Sequence, residues 1–130
     1  MYNVVLDTNV LISAAISPTG NPAKIVNMAL DKIIEITLSD EIIAEYEEVL
    51  SRKEFNFGSD EQAALLNGIK KNGVTISPSV SDVPMPDEDD RIFYDAAKER
   101  SAILITGNTR HYPVETHIMK PSDFLDFLEK

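Results

Sequence analysis

A chain of 130 residues with 43% hydrophobic side chains matches the size and make-up of one globular domain, spanning 1–130, that needs no staple to fold. Its 12 Lys and Arg against 22 Asp and Glu leave a net charge of −10, which argues against a binder that holds nucleic acid or anionic membrane by bulk electrostatics. The absence of cysteine excludes thiol nucleophiles, disulfides and zinc–thiolate sites.

Met1 and Tyr2 bring no basic n-region, and Asp7 interrupts the first apolar run, so the start does not read as a signal peptide. No apolar stretch approaches the ~18 residues that a membrane span requires. The expectation is a cytoplasmic protein with no membrane attachment.

Residues 3–6 (NVVL) form a short β-branched run, read as a buried strand ending at Asp7. Val10, Leu11, Ala14 and Ala15 then follow helical spacing until Ser17-Pro18-Thr19-Gly20. Asn21-Pro22 reads as an N-cap and first helical residue. Residues 33–38 (IIEITL) are the second predicted strand, and Ser39 is placed to cap the helix behind it, with Asp40 and Glu41 in its first turn. Ile42, Ile43, Tyr46, Val49 and Leu50 make one apolar stripe on that helix. Ser59 and Gln62 suggest a capping box for a helix ending near Asn72-Gly73. A third strand is predicted at 74–76, a proline-containing loop at 77–87, and a helix at 88–100. The fourth strand is 102–105 (AILI), a weak edge strand is 116–119, and a terminal helix carries Phe124, Leu125 and Leu128. Strands alternating with helices predict an α/β fold: a mostly parallel sheet of four or five strands with helices on both faces.

In such a sheet, ligands bind beyond the carboxyl ends of the strands. Asp7, Thr8 and Asn9 follow the first strand, and Thr106 and Asn108 the fourth. Asp87, Glu88, Asp89 and Asp90 open the helix that feeds the fourth strand. Each has a plain structural explanation, since Asp7 could cap a helix and acids suit a helix's first turn. On the helix after the second strand, Glu45 and Glu47 lie at opposite edges of the apolar stripe, and periodicity does not choose between them.

The succession VVLDTNVLISA, SDEIIAEYEEVL and PDEDDRIFYDAAKERSAILITGN resembles the PIN domain of metal-dependent nucleases, most of all the small stand-alone proteins that serve as toxins of toxin–antitoxin pairs. The resemblance runs from Asn3 through Phe124. It implies catalytic, metal-holding acids at Asp7, Glu45 and Asp90, with Thr8 as the small polar neighbour and Asn9 as support. It also implies an RNA substrate, an antitoxin partner and a homodimer. The family's usual acid after the fourth strand is here Asn108, an amide that can place water but removes one negative charge. Two carboxylates ~4 Å apart in an effective dielectric of ~20 repel by about 4 kcal/mol, so converging acids call for a cation. Oxygen ligands select hard ions, Mg²⁺ or Mn²⁺. Arg91, Arg110 and His111 are the nearest basic groups for a phosphate backbone, with Thr106 beside them and Lys98 and Arg100 further away.

Two other readings compete. A receiver-like signalling domain would use Asp7, Thr106 and Lys120-Pro121, but it needs paired acids after the first strand and an acid after the third, where Ser77-Pro78 stands. A degenerate PIN fold would serve only as a binding partner.

Overall fold

A computed structural model describes residues 1–129. Five strands, β1 (Asn3–Leu6), β2 (Glu35–Leu38), β3 (Val74–Thr75), β4 (Ile103–Ile105) and β5 (Ile118–Met119), form one sheet in the order β3-β2-β1-β4-β5. Every pairing is parallel: Val4 lies opposite Ile36 of β2 and Ile103 of β4, and Ile105 opposite Met119. Six α-helices connect and cover the described strands: α1 (Thr8–Ile16), α2 (Asn21–Leu30), α3 (Asp40–Leu50), α4 (Ser59–Asn72), α5 (Arg91–Arg100) and α6 (Pro121–Leu128).

Val4, Val5 and Leu6 are consecutive and all fully buried. Side chains alternate across a sheet, so both faces of β1 are covered, which is why the strand reads as an unbroken apolar run. α5 packs against β1, β2 and β4, while α2 packs against α1, α4 and α6. Ile42, Tyr46 and Leu50 of α3 are buried and Ile43 and Val49 half-buried, so the predicted stripe is the packed side. Each fully buried Leu or Ile contributes about 1.5–3 kcal/mol relative to an exposed one.

The strand order settles one alternative. A receiver-like domain has the order 2-1-3-4-5, whereas here β1 lies between β2 and β4. The receiver-like reading is therefore excluded.

Local boundaries differ from expectation for identifiable reasons. β2 begins at Glu35, not residue 33, because Lys32 takes a left-handed conformation (φ 62°) and the amides of Ile33 and Ile34 donate to the Met28 carbonyl of the preceding helix. Gly20, not Asn21, is the N-cap of α2, which moves Pro22 one place inward. The expected Ser59–Gln62 box is displaced by one residue: Glu61 Oε1 accepts from the Gly58 amide, and Gln62 Nε2 donates to the Phe57 carbonyl. Residues 88–90 form a 3₁₀ turn rather than the start of α5, because the Asp87 carboxylate accepts from the Asp89 amide at 3.0 Å.

Candidate active site

The chain leaves β1 in one direction to reach β2 and returns to the other side as β4. The reversal opens a crevice at the carboxyl ends of β1 and β4, the usual ligand position in such sheets. Asp7 follows β1 and Thr106 follows β4, so both stand at that point.

Asp7 precedes α1 but does not cap it: its side chain makes no cap hydrogen bond. Its Oδ2 instead accepts from the Thr106 hydroxyl at 2.9 Å and from the Tyr112 hydroxyl at 2.8 Å. The Thr106 hydroxyl in turn accepts from the backbone N–H of Asn108 at 3.0 Å. Asn9 Oδ1 accepts from the Gly107 amide at 3.0 Å, joining the start of α1 to the turn after β4. A Cβ on Gly107 would lie 3.3 Å from that same oxygen, so a side chain there would strain the junction. Burial, then the charges of Asp7 and Asp90, push the Tyr112 hydroxyl's pKa upward, which keeps it a proton donor to Asp7.

Glu45 is oriented by its neighbour in sequence. Tyr46 is fully buried and donates its hydroxyl to the Leu6 carbonyl at 2.5 Å, which fixes α3 against the end of β1. The next residue back therefore faces α1, and Thr8 Oγ1 donates to Glu45 Oε2. Glu47 lies away from the crevice, exposed and 3.9 Å from Lys70. Burial raises the Glu45 pKa; the Thr8 hydrogen bond opposes this, and repulsion from Asp7 and Asp89 adds to it.

Asp90 is 14% exposed at its side chain, and its Oδ2 is buried without a hydrogen-bond partner. Burial, then repulsion from Asp7 and Asp87, pushes its carboxyl up to about 7, against the opposing pull of His111; Glu45 adds a smaller push. Asp7, Glu45 and Asp90 thus repel one another across the crevice. Among the described residues, the group whose ligand atoms all lie within 4.8 Å of one another is a different one, Asp87, Asp90 and His111. Asn108 turns its side chain toward that group, with Nδ2 2.8 Å from His111 Nε2.

The predicted basic contacts separate sharply. Arg91 is a clamp on the preceding loop: it donates to the Ser81 carbonyl and hydroxyl, to the Val83 carbonyl and to Glu88. Lys98 pairs with Glu115 at 2.9 Å and Arg100 with Glu35 at 2.8 Å. Those three are thus held by intramolecular partners, and His111 faces acids. Arg110 forms no ion pair with the described residues and lines a cleft of about 620 Å³ together with Tyr112, Val114 and Lys120. A second cleft of about 380 Å³, on the other side of the crevice, is lined by Thr8, Asn9, Glu45, Arg52 and Phe55.

Tyr112 is the residue that sequence patterns missed. It sits in no periodic element, and the 3₁₀ turn at Thr109–His111 that swings it back to Asp7 has no strong signature. Its only signal is an aromatic residue five positions beyond Gly107.

Fold and site together define a doubly wound α/β protein with an acid-lined crevice at its switch point. The PIN domain family model matches residues 3–110 of the 130, and the chain belongs to that family. An uncharacterized protein of Methanocaldococcus jannaschii is 37% identical over 108 residues, covering 81% of this chain and 70% of that protein. A solved chain of VapBC2 from Rickettsia felis, a complex bound to a DNA fragment from its promoter, shares the fold with a TM-score of 0.58 and 14% identity. That likeness covers 91% of this chain and 96% of the other. PIN domains are generally nucleases and typically use divalent metals. Among the described residues, no helix is long and apolar enough to cross a membrane.

Proposed function

We propose that this protein is a Mg²⁺- or Mn²⁺-dependent endoribonuclease that hydrolyses single-stranded RNA, and that it is the toxin of a pair with an antitoxin protein. The observation that carries the enzymatic reading is Asp90: a buried, unpartnered carboxylate oxygen repelled by Asp7, Asp87 and Glu45. An acid cluster left in that state fits a divalent cation, which would offset the repulsion. Asp7, Glu45 and Asp90 would hold the ion. When bound, it supplies positive charge to the scissile phosphate and makes water easier to ionise.

The chain's own groups do the rest. Thr106 and Tyr112 fix the Asp7 carboxylate, and Thr8 fixes that of Glu45, so the acids are oriented before substrate arrives. The Asp90 carboxylate, returned to its charged form once the ion is bound, accepts a hydrogen bond from the attacking water. Asn108 places that water, as an amide that both donates and accepts. Arg110 and Lys120 meet backbone phosphates in the larger cleft, and an extended strand crosses from there past the acids toward Phe55. The shared fold with a chain of the VapBC2 complex motivates the partner reading, and action on cellular RNA the cytoplasmic one.

The test is cleavage of a single-stranded RNA pool with Mn²⁺, Mg²⁺ or chelator, for wild type and Asp7→Asn. Metal-dependent fragments lost in Asp7→Asn support the proposal. RNA that stays intact in either metal favours the binding-only alternative.

A further inference from the structure

His111 stands against the acids instead of facing outward to a phosphate. Its Nδ1 lies 3.2 Å from Asp90 Oδ2 and 3.8 Å from Asp87 Oδ2. The Asp90 oxygen is buried yet accepts no hydrogen bond, so the imidazole is close to it without satisfying it. One ligand atom from each of the three residues lies within 4.8 Å of the other two, and the two imidazole–carboxylate distances are shorter still, so a modest closing of the side chains brings all three to ordinary ligand distances of about 2.0–2.2 Å from one ion. They come from two separate segments: Asp87 precedes and Asp90 ends the 3₁₀ turn before α5, while His111 ends the 3₁₀ turn after β4. Arg91, the residue after Asp90, donates to the Ser81 and Val83 carbonyls and so fastens the loop leading to Asp87 against the start of α5 without any metal ion.

We propose that Asp87, Asp90 and His111 form a mixed nitrogen–oxygen site that takes a divalent transition ion of the Co²⁺ or Zn²⁺ class in preference to Mg²⁺. Imidazole favours ions late in the Irving–Williams order, whereas a pure carboxylate set favours Mg²⁺, Ca²⁺ or Mn²⁺. The other ring nitrogen is already provided for. Nε2 lies 2.8 Å from the Asn108 amide, which can accept from Nε2–H once its plane turns over, leaving the Nδ1 lone pair for the ion. An asparagine at that position thereby acquires a role that an outward-pointing ligand would not have: it positions the imidazole. The remaining coordination positions are open, because the side chains of His111 and Asp87 are 46% and 41% exposed. The inference deepens the metal-dependent reading and rests on it, since Asp90 belongs to both ligand sets.

The experiment is titration calorimetry with Co²⁺, Zn²⁺ and Mg²⁺ on wild type, His111→Gln and Asp7→Asn, beside nitrogen NMR of the wild-type histidine rings with Zn²⁺. Expected are tighter Co²⁺ and Zn²⁺ than Mg²⁺ binding in wild type, and a loss of about 10–100-fold for Co²⁺ in His111→Gln with Mg²⁺ little changed. The His111 Nδ1 resonance should shift on Zn²⁺ addition while His117 stays in place. The wild-type NMR readout holds even if the variant folds poorly. An unshifted His111, equal Co²⁺ affinity in His111→Gln, or no binding of any ion overturns the proposal. Mg²⁺ binding and RNA cleavage with His111 unaffected would sink the tripod alone. Co²⁺ held through His111 without any RNA cleavage would sink the nuclease reading and leave the tripod standing.

Discussion

Replacing Asp90 by Asn tests whether the acid cluster stores repulsion that a cation offsets. In the folded chain the carboxyl titrates at about 7 instead of 3.8. Between those values the folded protein holds a proton that the unfolded chain has released, so stability falls as pH rises from about 4 to 7. At 1.36 kcal/mol per unit, a shift of about 3 units costs about 4 kcal/mol at pH 8, and screening at the mouth of the crevice trims this to about 2–3 kcal/mol. Asn is nearly isosteric and carries no charge, and Asp90 makes no side-chain cap bond that would be lost with it. In chelator at pH 8, Asp90→Asn should therefore be more stable than wild type by about 2–3 kcal/mol, roughly 10 °C in melting temperature for a chain of this length. At pH 4 the two should nearly coincide. Glu45 is raised by burial and by repulsion from Asp7, Asp89 and Glu48, against the Thr8 hydrogen bond, so some pH dependence of the same sign should survive in the variant. Denaturant melts at pH 4, 6 and 8 measure this. A difference between the two proteins that does not grow with pH would refute the stored repulsion.

Asn108→Asp should behave oppositely: less stable than wild type in chelator by about 1–2 kcal/mol, with the deficit shrinking or reversing in saturating Mn²⁺, as followed by thermal melts. Tyr46→Phe leaves the Leu6 carbonyl without its donor, so it should cost about 1–3 kcal/mol and should raise the metal dissociation constant by freeing Glu45. Calorimetry with Mn²⁺ checks the second effect. Arg91→Ala should release residues 81–83 from α5, losing about 1–2 kcal/mol and raising amide exchange across residues 79–87 well above that of the strands. Unchanged exchange there would show that the clamp carries no tension.

The strands were legible because a parallel strand is buried on both faces and shows as an unbroken apolar run, as NVVL and AILI do. Asp7 and Asp90 stand at predictable places, one after a strand and one at the opening of a helix, while Glu45, midway along its helix, was legible only through the family resemblance. Periodicity did not choose Glu45 over Glu47, because both border the apolar stripe. It depends on the Tyr46 hydroxyl reaching Leu6, a contact 40 residues away in the chain. His111 and Tyr112 face the acids through the shape of one 3₁₀ turn, which local propensity scarcely encodes. Arg100 read as a distant phosphate contact because nothing near it in sequence announces Glu35, its partner across 65 residues. The receiver-like alternative fell to strand order, which periodicity does not report.

The most direct test of water attack at this site is to cleave a defined single-stranded RNA with Mn²⁺ in ¹⁸O-enriched water and weigh the product ends. One ¹⁸O on each new phosphate end, no 2′,3′-cyclic phosphate, and no products from Asp7→Asn or in chelator are the predicted results. Cyclic phosphate ends that persist in chelator would mean attack by the RNA's own 2′-hydroxyl without a metal, and would contradict the role assigned to Asp7, Glu45 and Asp90.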